Sequence, residues 1–85
     1  VQGMVRGLAR DLGDRRITVN AVQPGPTDTD MNPADGPMAA TMHGLMAIKR
    51  HIRAEEVASL VAYLAGPDAA MITGSLQSID GGFLA

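Results

Sequence analysis

The chain has 85 residues, no cysteine and a formal net charge of −2 at pH 7. The absence of cysteine excludes disulfides and thiolate metal sites, and the acidic balance argues against nucleic-acid polymers and anionic membranes as partners. The two aromatic residues, Tyr63 and Phe83, are too few for a base-stacking platform. The apolar runs are much shorter than a membrane span, so we expect a cytoplasmic protein without contact with a membrane.

The first element is a predicted helix over residues 2–12, which Gly13 ends. Its apolar side chains recur at helical spacing, at Met4, Val5, Leu8 and Leu12. Gly3 and Gly7 lie one turn apart, which predicts the close approach of another helix. Because Val1 stands inside this pattern with no capping residue before it, we expect the chain to be a piece of a longer protein.

Residues 17–23 predict a buried strand, because β-branched residues predominate and successive side chains alternate between two faces. Pro24 ends the strand, since it cannot donate a hydrogen bond to a sheet. Nothing is periodic from Pro24 to Pro37, which predicts a long loop at the carboxyl end of the strand, where ligands bind in open α/β sheets. The loop side chains that offer hydroxyl or carboxylate oxygens are Thr27, Asp28, Thr29 and Asp30. The pattern alone fits a ligand loop and an ordinary polar connection equally well.

The second half of the chain predicts a helix over Ala54–Ala65, ended by Gly66, and a strand over Leu76–Ile79. The order strand, loop, helix, strand is a βαβ unit, in which the two strands are parallel. Between the first strand and this helix lies a predicted short helix that either lines a ligand surface or fills the core. The apolar residues on one side of it are Met38, Met42, Leu45 and Met46.

Three cations, Lys49, Arg50 and Arg53, surround His51 in the sequence. Such a cluster either contacts a phosphate or carboxylate or forms a solvated turn, and we favour the turn.

No metal or hydrolase motif is complete. The series Asp28, Asp30, Asn32 imitates a calcium loop, but Pro33 and Ala39 stand where glycine and glutamate are needed. The histidines at positions 43 and 51 lack a plausible third ligand for zinc, and no G-x-S-x-G motif occurs. For the two aspartates, we expect loop-capping roles in preference to acid–base catalysis.

Several blocks of sequence keep the order and spacing of one known family. They are GLARDLG with ITVNAVQPGPTDTDM, then RAEEVASLVAYLAG, then ITG and IDGG. Together they resemble the carboxyl-terminal part of the short-chain dehydrogenases/reductases. The segments NPADGPM and LMAIKRH resemble a bacterial branch of cyclic-di-GMP-binding biofilm-dispersal mediators, alongside 3-oxoacyl-[acyl-carrier-protein] reductase-like members.

The resemblance implies an α/β fold, namely the carboxyl-terminal portion of a Rossmann-type doubly wound sheet with its last two parallel strands and their helices. It also implies a homo-oligomer, either a dimer or a tetramer. Residues 1–85 would form a single partial domain. Its parts would be the end of a dimerisation helix (1–13), a strand (17–23), a cofactor loop and substrate lid (24–50), a helix (54–66), a strand (76–80) and a carboxyl-terminal tail (81–85).

The resemblance further implies binding of NAD or NADP, with NADP slightly favoured. Pro24, Gly25 and Thr29 match the family's P-G-x-x-x-T pattern, which would lie along the nicotinamide end of the cofactor. The backbone of Thr27 would meet the carboxamide, and the Thr29 hydroxyl would reach the carboxamide or the pyrophosphate. The implied cofactor-binding residues are Pro24, Gly25, Pro26, Thr27, Thr29 and Met31.

The implied function is hydride transfer between nicotinamide and a small-molecule carbonyl or alcohol substrate, with this piece supplying only the nicotinamide-side loop and the lid. The family's catalytic serine and Tyr-x-x-x-Lys pair are expected outside the chain, so we assign no catalytic residue and expect the 85 residues alone to be inactive. Tyr63 does not substitute, because Pro67 stands where the lysine would be. The alternative is a cyclic-di-GMP-binding or interaction module without catalysis.

Overall fold

The structure is a computed structural model that describes residues 1–83 and residue 85. Its α-helices are α1 (Gln2–Leu12), α2 (Ala39–Gly44) and α3 (Ala54–Ala65), and its strands are β1 (Ala21–Pro24) and β2 (Leu76–Ile79). Short 3-10 turns cover Gly13–Arg15 and Pro67–Ala69. The predicted helices over 2–12 and 54–65 and the predicted strand over 76–79 are confirmed.

The two strands form a parallel sheet. Ala21 donates its N–H to the carbonyl of Ser75, and four residues later Gly25 donates to the carbonyl of Ile79, so both chains advance in the same direction. The carboxyl ends of the two strands therefore lie at the same edge of the sheet.

The chain divides into two compact units. The first unit comprises Val1–Val22 and Ser59–Gln77, and the second comprises Gln23–Ala58 and Ser78–Ala85. The described buried side chains of the first unit are Val5, Ala9 and Ala69. Those of the second unit are Pro26, Ala39, Met46, His51 and Ile52. All 12 residues of α3 are described and none of them is buried, although their apolar spacing predicts a buried face.

The first strand is shorter than the predicted range 17–23 and begins at Ala21. The reason lies in the bonds of the preceding backbone: the N–H of Val19 donates to the hydroxyl of Thr73 at 3.0 Å, so a side chain takes the place of a sheet partner. At the other end, Gly25 N–H completes the pairing with Ile79, which carries the strand through Pro24.

The ends of the second strand and of α3 also differ by one residue from the ranges that the resemblance implied. The strand ends at Ile79 because the Asp80 carboxylate accepts a hydrogen bond from Gly82 N–H and starts a turn. The helix ends at Ala65 because Gly66 has extended backbone angles. In the implied tail 81–85, Leu84 lies outside the described residues.

The predicted short helix is present as α2, but its apolar side chains do not share one buried face. Met46 is 2% exposed, whereas Met38 is 58% and Leu45 47% exposed. Among the described residues, no helix combines the length and the apolar character needed to cross a bilayer.

Candidate functional site

The loop that follows β1 is held at its base by a hydrogen-bonded bridge to Ile52. Ile52 N–H donates to the Pro26 carbonyl at 2.8 Å, and Asp28 N–H donates to the Ile52 carbonyl at 2.9 Å. Thr27 lies between these partners in a parallel bridge, and neither bond uses its own amide or carbonyl. A ligand that offers both an acceptor and a donor, as a carboxamide does, would match the backbone N–H and carbonyl of Thr27, which these two bonds do not use.

Gly25 lies against the residue that follows β2. A Cβ added to Gly25 would stand 2.8 Å from Asp80 Cβ and 2.9 Å from Asp80 Cα. Because the second of these atoms belongs to the backbone, no side-chain rotation relieves the clash. Only glycine fits where the two strand ends meet.

Two threonines give the loop its hydroxyl groups. The Thr27 hydroxyl donates to the Gly25 carbonyl at 2.9 Å, so its proton is already used inside the loop. The Thr29 hydroxyl oxygen accepts from Asn32 N–H at 3.2 Å, which leaves its proton available to an acceptor outside the chain.

The six residues for which the resemblance implies cofactor contact lie together in this one loop. Pro24 ends β1 and is exposed, Pro26 is buried, and Met31 is 98% exposed. Gly25 and Thr27 are half-buried, and Thr29 is exposed. The loop thus presents a half-buried backbone at its base and an apolar side chain at its tip.

The loop-capping role predicted for Asp28 is confirmed. Its carboxylate accepts from Ala34 N–H at 2.8 Å, across the turn that contains Pro33. Within residues 1–83 and 85, no group of three or more histidine, cysteine, aspartate or glutamate side chains is arranged to hold a metal ion.

A second group of contacts joins the residues after β2 to the end of the segment 30–50. The Gly81 carbonyl accepts from Ile48 N–H at 2.9 Å, which ties the end of the segment 30–50 to this edge of the sheet. A cavity of about 140 Å³ opens beside this contact. It is lined by Ile48, Arg50, Ile52, Glu56, Ile79 and Gly81.

The cationic cluster is engaged within the chain. Arg50 makes a bidentate ion pair with Glu56, with nitrogen to oxygen distances of 2.7 and 2.9 Å. Arg53 donates its backbone N–H to the same carboxylate at 2.9 Å, and Lys49 donates to the Met46 carbonyl at 2.8 Å. These contacts favour the turn that the sequence predicts over an exposed anion site.

The ion pair determines the charge state of Glu56. The hydrogen bond from the Arg50 guanidinium and, after it, the Arg53 backbone N–H lower the pKa of Glu56 from 4.5 to about 2. The same hydrogen bond raises the pKa of Arg50. Glu56 thus remains charged through the whole neutral and weakly acidic range.

The structure brings together two histidines that the sequence analysis did not predict to be in contact. His43 Nε2 lies 2.8 Å from His51 Nδ1, and His51 Nε2 lies 3.1 Å from the side-chain oxygen of Asn32. The signal available was the spacing of eight residues across a turn, which reads equally well as two unrelated side chains. This pair is a hydrogen-bonded cluster without a third metal ligand among the described residues.

Comparisons with known proteins identify the family. The family profile described as enoyl-(acyl carrier protein) reductase matches residues 1–84. The chain is 64% identical over 83 residues to the cyclic-di-GMP-binding biofilm dispersal mediator protein of Escherichia coli K12, covering 98% of this chain and 35% of the relative. It is 43% identical over 84 residues to the 3-oxoacyl-[acyl-carrier-protein] reductase FabG of Pseudomonas aeruginosa, covering 96% of this chain and 34% of that relative.

Solved structures show the same relationship. The crystal structure of BdcA in complex with NADPH is 64% identical, with a TM-score of 0.95 over 99% of this chain and 34% of that one. A short-chain dehydrogenase/reductase from Serratia marcescens is 60% identical, with a TM-score of 0.95 over the same shares. The present chain thus spans about a third of the length of the relatives that it matches, and its two parallel strands and helices correspond to part of their Rossmann fold. The chain belongs to the short-chain dehydrogenase/reductase family of oxidoreductases.

Proposed function

We propose that this chain supplies the nicotinamide-side loop and the substrate lid of an NADP-dependent carbonyl reductase. The observation that carries the proposal is the match to an NADPH-bound relative, which is 64% identical and superimposes over 99% of the chain. NADPH in that complex also supports NADP over NAD. The bound cofactor would supply the hydride, and the residues of this chain would orient it and enclose the substrate.

Each residue of the loop has a distinct role in this proposal. Thr27 directs its free backbone amide and carbonyl to the carboxamide, and Thr29 donates its hydroxyl proton to the cofactor. Pro24 and Gly25 shape the approach, because glycine permits close contact and proline fixes the backbone. Pro26 supports the loop from within, and Met31 lies at its tip as an apolar contact.

The segment 30–50 is the proposed lid. It carries exposed apolar side chains, including Met38 and Leu45, which a small-molecule carbonyl substrate would cover. Methionine adapts its shape through three rotatable bonds, so such a surface accepts ligands of different outline.

The chain holds no catalytic pair of its own in this proposal. Tyr63 is 51% exposed on α3, and the position four residues later is Pro67. A tyrosine needs a nearby cation to transfer its proton near neutral pH, and proline offers none. We therefore expect no carbonyl reduction by the 85 residues alone, and turnover above background would contradict this assignment.

A chimera tests the proposed cofactor contacts. This chain replaces the matching third of the NADPH-bound relative, and NADPH affinity is measured by fluorescence titration. We expect Thr29→Val to weaken NADPH binding about fivefold to tenfold, because one hydrogen bond contributes about 1 kcal/mol.

Thr18→Val is the matched control, because it makes the same chemical change before the loop. We expect the control to bind NADPH as the parent chimera does. Equal affinities for the parent and Thr29→Val would remove Thr29 from the cofactor site, and a chimera that reduces no carbonyl compound would contradict the proposed function.

A second candidate function is cyclic-di-GMP binding, which the similarity to the cyclic-di-GMP-binding biofilm dispersal mediator protein of Escherichia coli favours. The Arg53 side chain is 65% exposed and lies near Lys49 in sequence, so these two cations would contact the phosphates. Calorimetry with cyclic-di-GMP tests this candidate on the chain and on a Lys49→Ala, Arg53→Ala variant, with Arg10→Ala as control. A loss of affinity confined to the double variant would support it, and an unchanged affinity would remove these cations from consideration.

A further inference from the structure

Asn32, His43 and His51 form a hydrogen-bonded chain of side chains, the histidine latch, within the second unit. His51 is its centre and is 4% exposed. One ring nitrogen of His51 lies 2.8 Å from His43 Nε2 and the other lies 3.1 Å from Asn32 Oδ1. The two rings meet edge to face, with centroids 5.0 Å apart and planes at 78°. The latch joins α2, the turn before α3 and the loop after β1.

The partners of the latch determine where its protons lie. The Asn32 amide nitrogen is directed to the sulfur of Met42 at 3.7 Å, so its oxygen faces His51. His51 Nε2–H therefore donates to Asn32, which leaves Nδ1 as an acceptor for His43 Nε2–H. Each of the two hydrogen bonds in the latch then joins one donor to one acceptor.

Because of this arrangement of protons, protonation of His43 and protonation of His51 have different effects on the latch. A proton added to Nδ1 of His43 leaves its Nε2–H in place, so the hydrogen bond to His51 is kept and becomes charge-assisted. A proton added to Nδ1 of His51 while His43 keeps its Nε2–H would place two N–H groups against each other at 2.8 Å. The closed latch can thus hold one added proton but not two.

The charged side chains on the surrounding segments do not stabilise a second added proton on the latch. On the turn before α3, Lys49 Nζ lies 3.4 Å from the His43 carbonyl and Arg50 donates to the His51 carbonyl at 3.0 Å. At the start of α3, Glu56 is paired with Arg50 and Arg53. In the loop after β1, Asp28 accepts from Ala34 N–H, and the side chains of Asp30 and Asp35 are exposed. Among the described residues, no carboxylate hydrogen-bonds to either imidazole ring.

We propose that the histidine latch is a pH-sensitive device that keeps the segment 32–51 closed with no or one added proton and releases it when His51 is protonated. His43 takes the first proton and the contact persists. The second proton breaks the hydrogen bond between the two rings and sets two cationic rings against each other, so the His51 ring leaves the buried position and gives up its bond to Asn32.

The test is a pH titration of the ¹⁵N-labelled chain by NMR, without cofactor, from pH 8 to about pH 5. Ring nitrogen shifts report the tautomer and charge of each histidine. We expect His43 to become charged while His51 remains the neutral Nε2–H tautomer. Charging of His51 should then coincide with shifts of the Asn32 side-chain amide and of the α2 backbone, while the amides of α3 keep their shifts.

Two variants distinguish the histidines. His51→Gln keeps one donor and one acceptor but does not ionise, so we expect the pH-dependent change of α2 to disappear. His43→Gln still donates to His51, so the change should persist. Simultaneous loss of the α3 signals, charging of His51 before His43, or an α2 change that persists in His51→Gln would each overturn the proposal. Because the titration contains no cofactor, these outcomes leave the nicotinamide assignment standing.

Discussion

Gly25 shows how a single hydrogen atom determines the approach of two strand ends. The residue after β1 and the residue after β2 are closer than any side chain permits, since an added Cβ would lie 2.9 Å from a backbone atom of Asp80. The N–H of Gly25 also donates to Ile79, so the backbone cannot move away without losing a bond of the sheet. Position 25 is therefore constrained by packing before any ligand is considered.

We expect Gly25→Ala to lower the free energy of unfolding by about 1–3 kcal/mol, the usual cost of overpacking. Urea denaturation followed by circular dichroism measures the change. Gly13→Ala is the matched control, because Gly13 has helical angles and its Cβ would meet nothing within 4 Å. The control should be neutral or stabilising, and similar losses in the two variants would contradict the clash at Gly25.

The carboxylate of Glu56 determines how α3 begins. Glu56 accepts from the backbone N–H of Arg53 just before the helix and from the guanidinium of Arg50. This is one half of a capping box, in which a carboxylate satisfies an amide at the start of a helix, and a negative charge there also suits the helix dipole. Two cations of the cluster, Arg50 and Arg53, thus help to fix where this helix begins, in agreement with the turn that the sequence favoured.

The lowered pKa of Glu56 predicts how the stability of the chain changes with pH. Because the carboxylate form is favoured in the folded state, its stabilisation is complete above about pH 4.5 and is lost as the pH falls toward 2. We expect Glu56→Gln to lower the thermal midpoint at pH 7 and to approach the parent at pH 2. Glu55→Gln, which changes an exposed neighbour, serves as the control. A difference between Glu56→Gln and the parent that does not depend on pH would contradict the role of the charge.

At the scale of the whole molecule, the chain leaves much of its apolar surface uncovered. Met4 on α1 is 64% exposed, Val61 on α3 is 49% exposed, and Met71 is 94% exposed. Chains of this size bury only about 60% of their unfolded surface, so their stability depends on covering what remains. We propose that a second copy covers α1, as the resemblance to a dimerisation helix implies.

We expect the sedimentation coefficient of the chain to rise with concentration and Met4→Glu to reduce that rise, because a charge would enter the covered face. Met71→Glu introduces the same charge at an exposed residue outside α1 and should have a smaller effect. A sharp thermal transition that does not depend on concentration would argue against self-association.

The elements that the sequence predicts well are those whose pattern is local. The ends of α1 follow from apolar spacing and Gly13, and α3 follows from its spacing and Gly66. The predicted beginning of β1 was wrong by four residues, because the Val19 amide donates to the hydroxyl of Thr73, which lies 54 residues away in sequence. The β-strand propensity of a segment contains no information about a hydrogen-bond partner so distant in sequence.

The candidate site was predicted in the same uneven way. The Asp28 cap was predicted from its position in a turn and is confirmed, whereas the assignment of the loop after β1 to the cofactor rests on the family pattern and stays a prediction. The histidine latch was missed, because a contact across eight residues depends on how the turn folds and not on the spacing alone. Sequence likewise could not show that Arg50 is already paired, since its partner Glu56 lies on the next element.

The hydrogen-bonded bridge between the loop after β1 and Ile52 indicates where the sequence can vary without moving the base of the loop. Since Pro26 and Asp28 both bond to Ile52, the segment from Asp28 to Ile52 begins and ends at the same pair of hydrogen bonds. Loop insertions cost little when the two ends are already held together. We therefore expect that the stretch between Thr29 and His51 can be exchanged as a cassette, which in our proposal would change the substrate while the backbone assigned to cofactor contact stays in place.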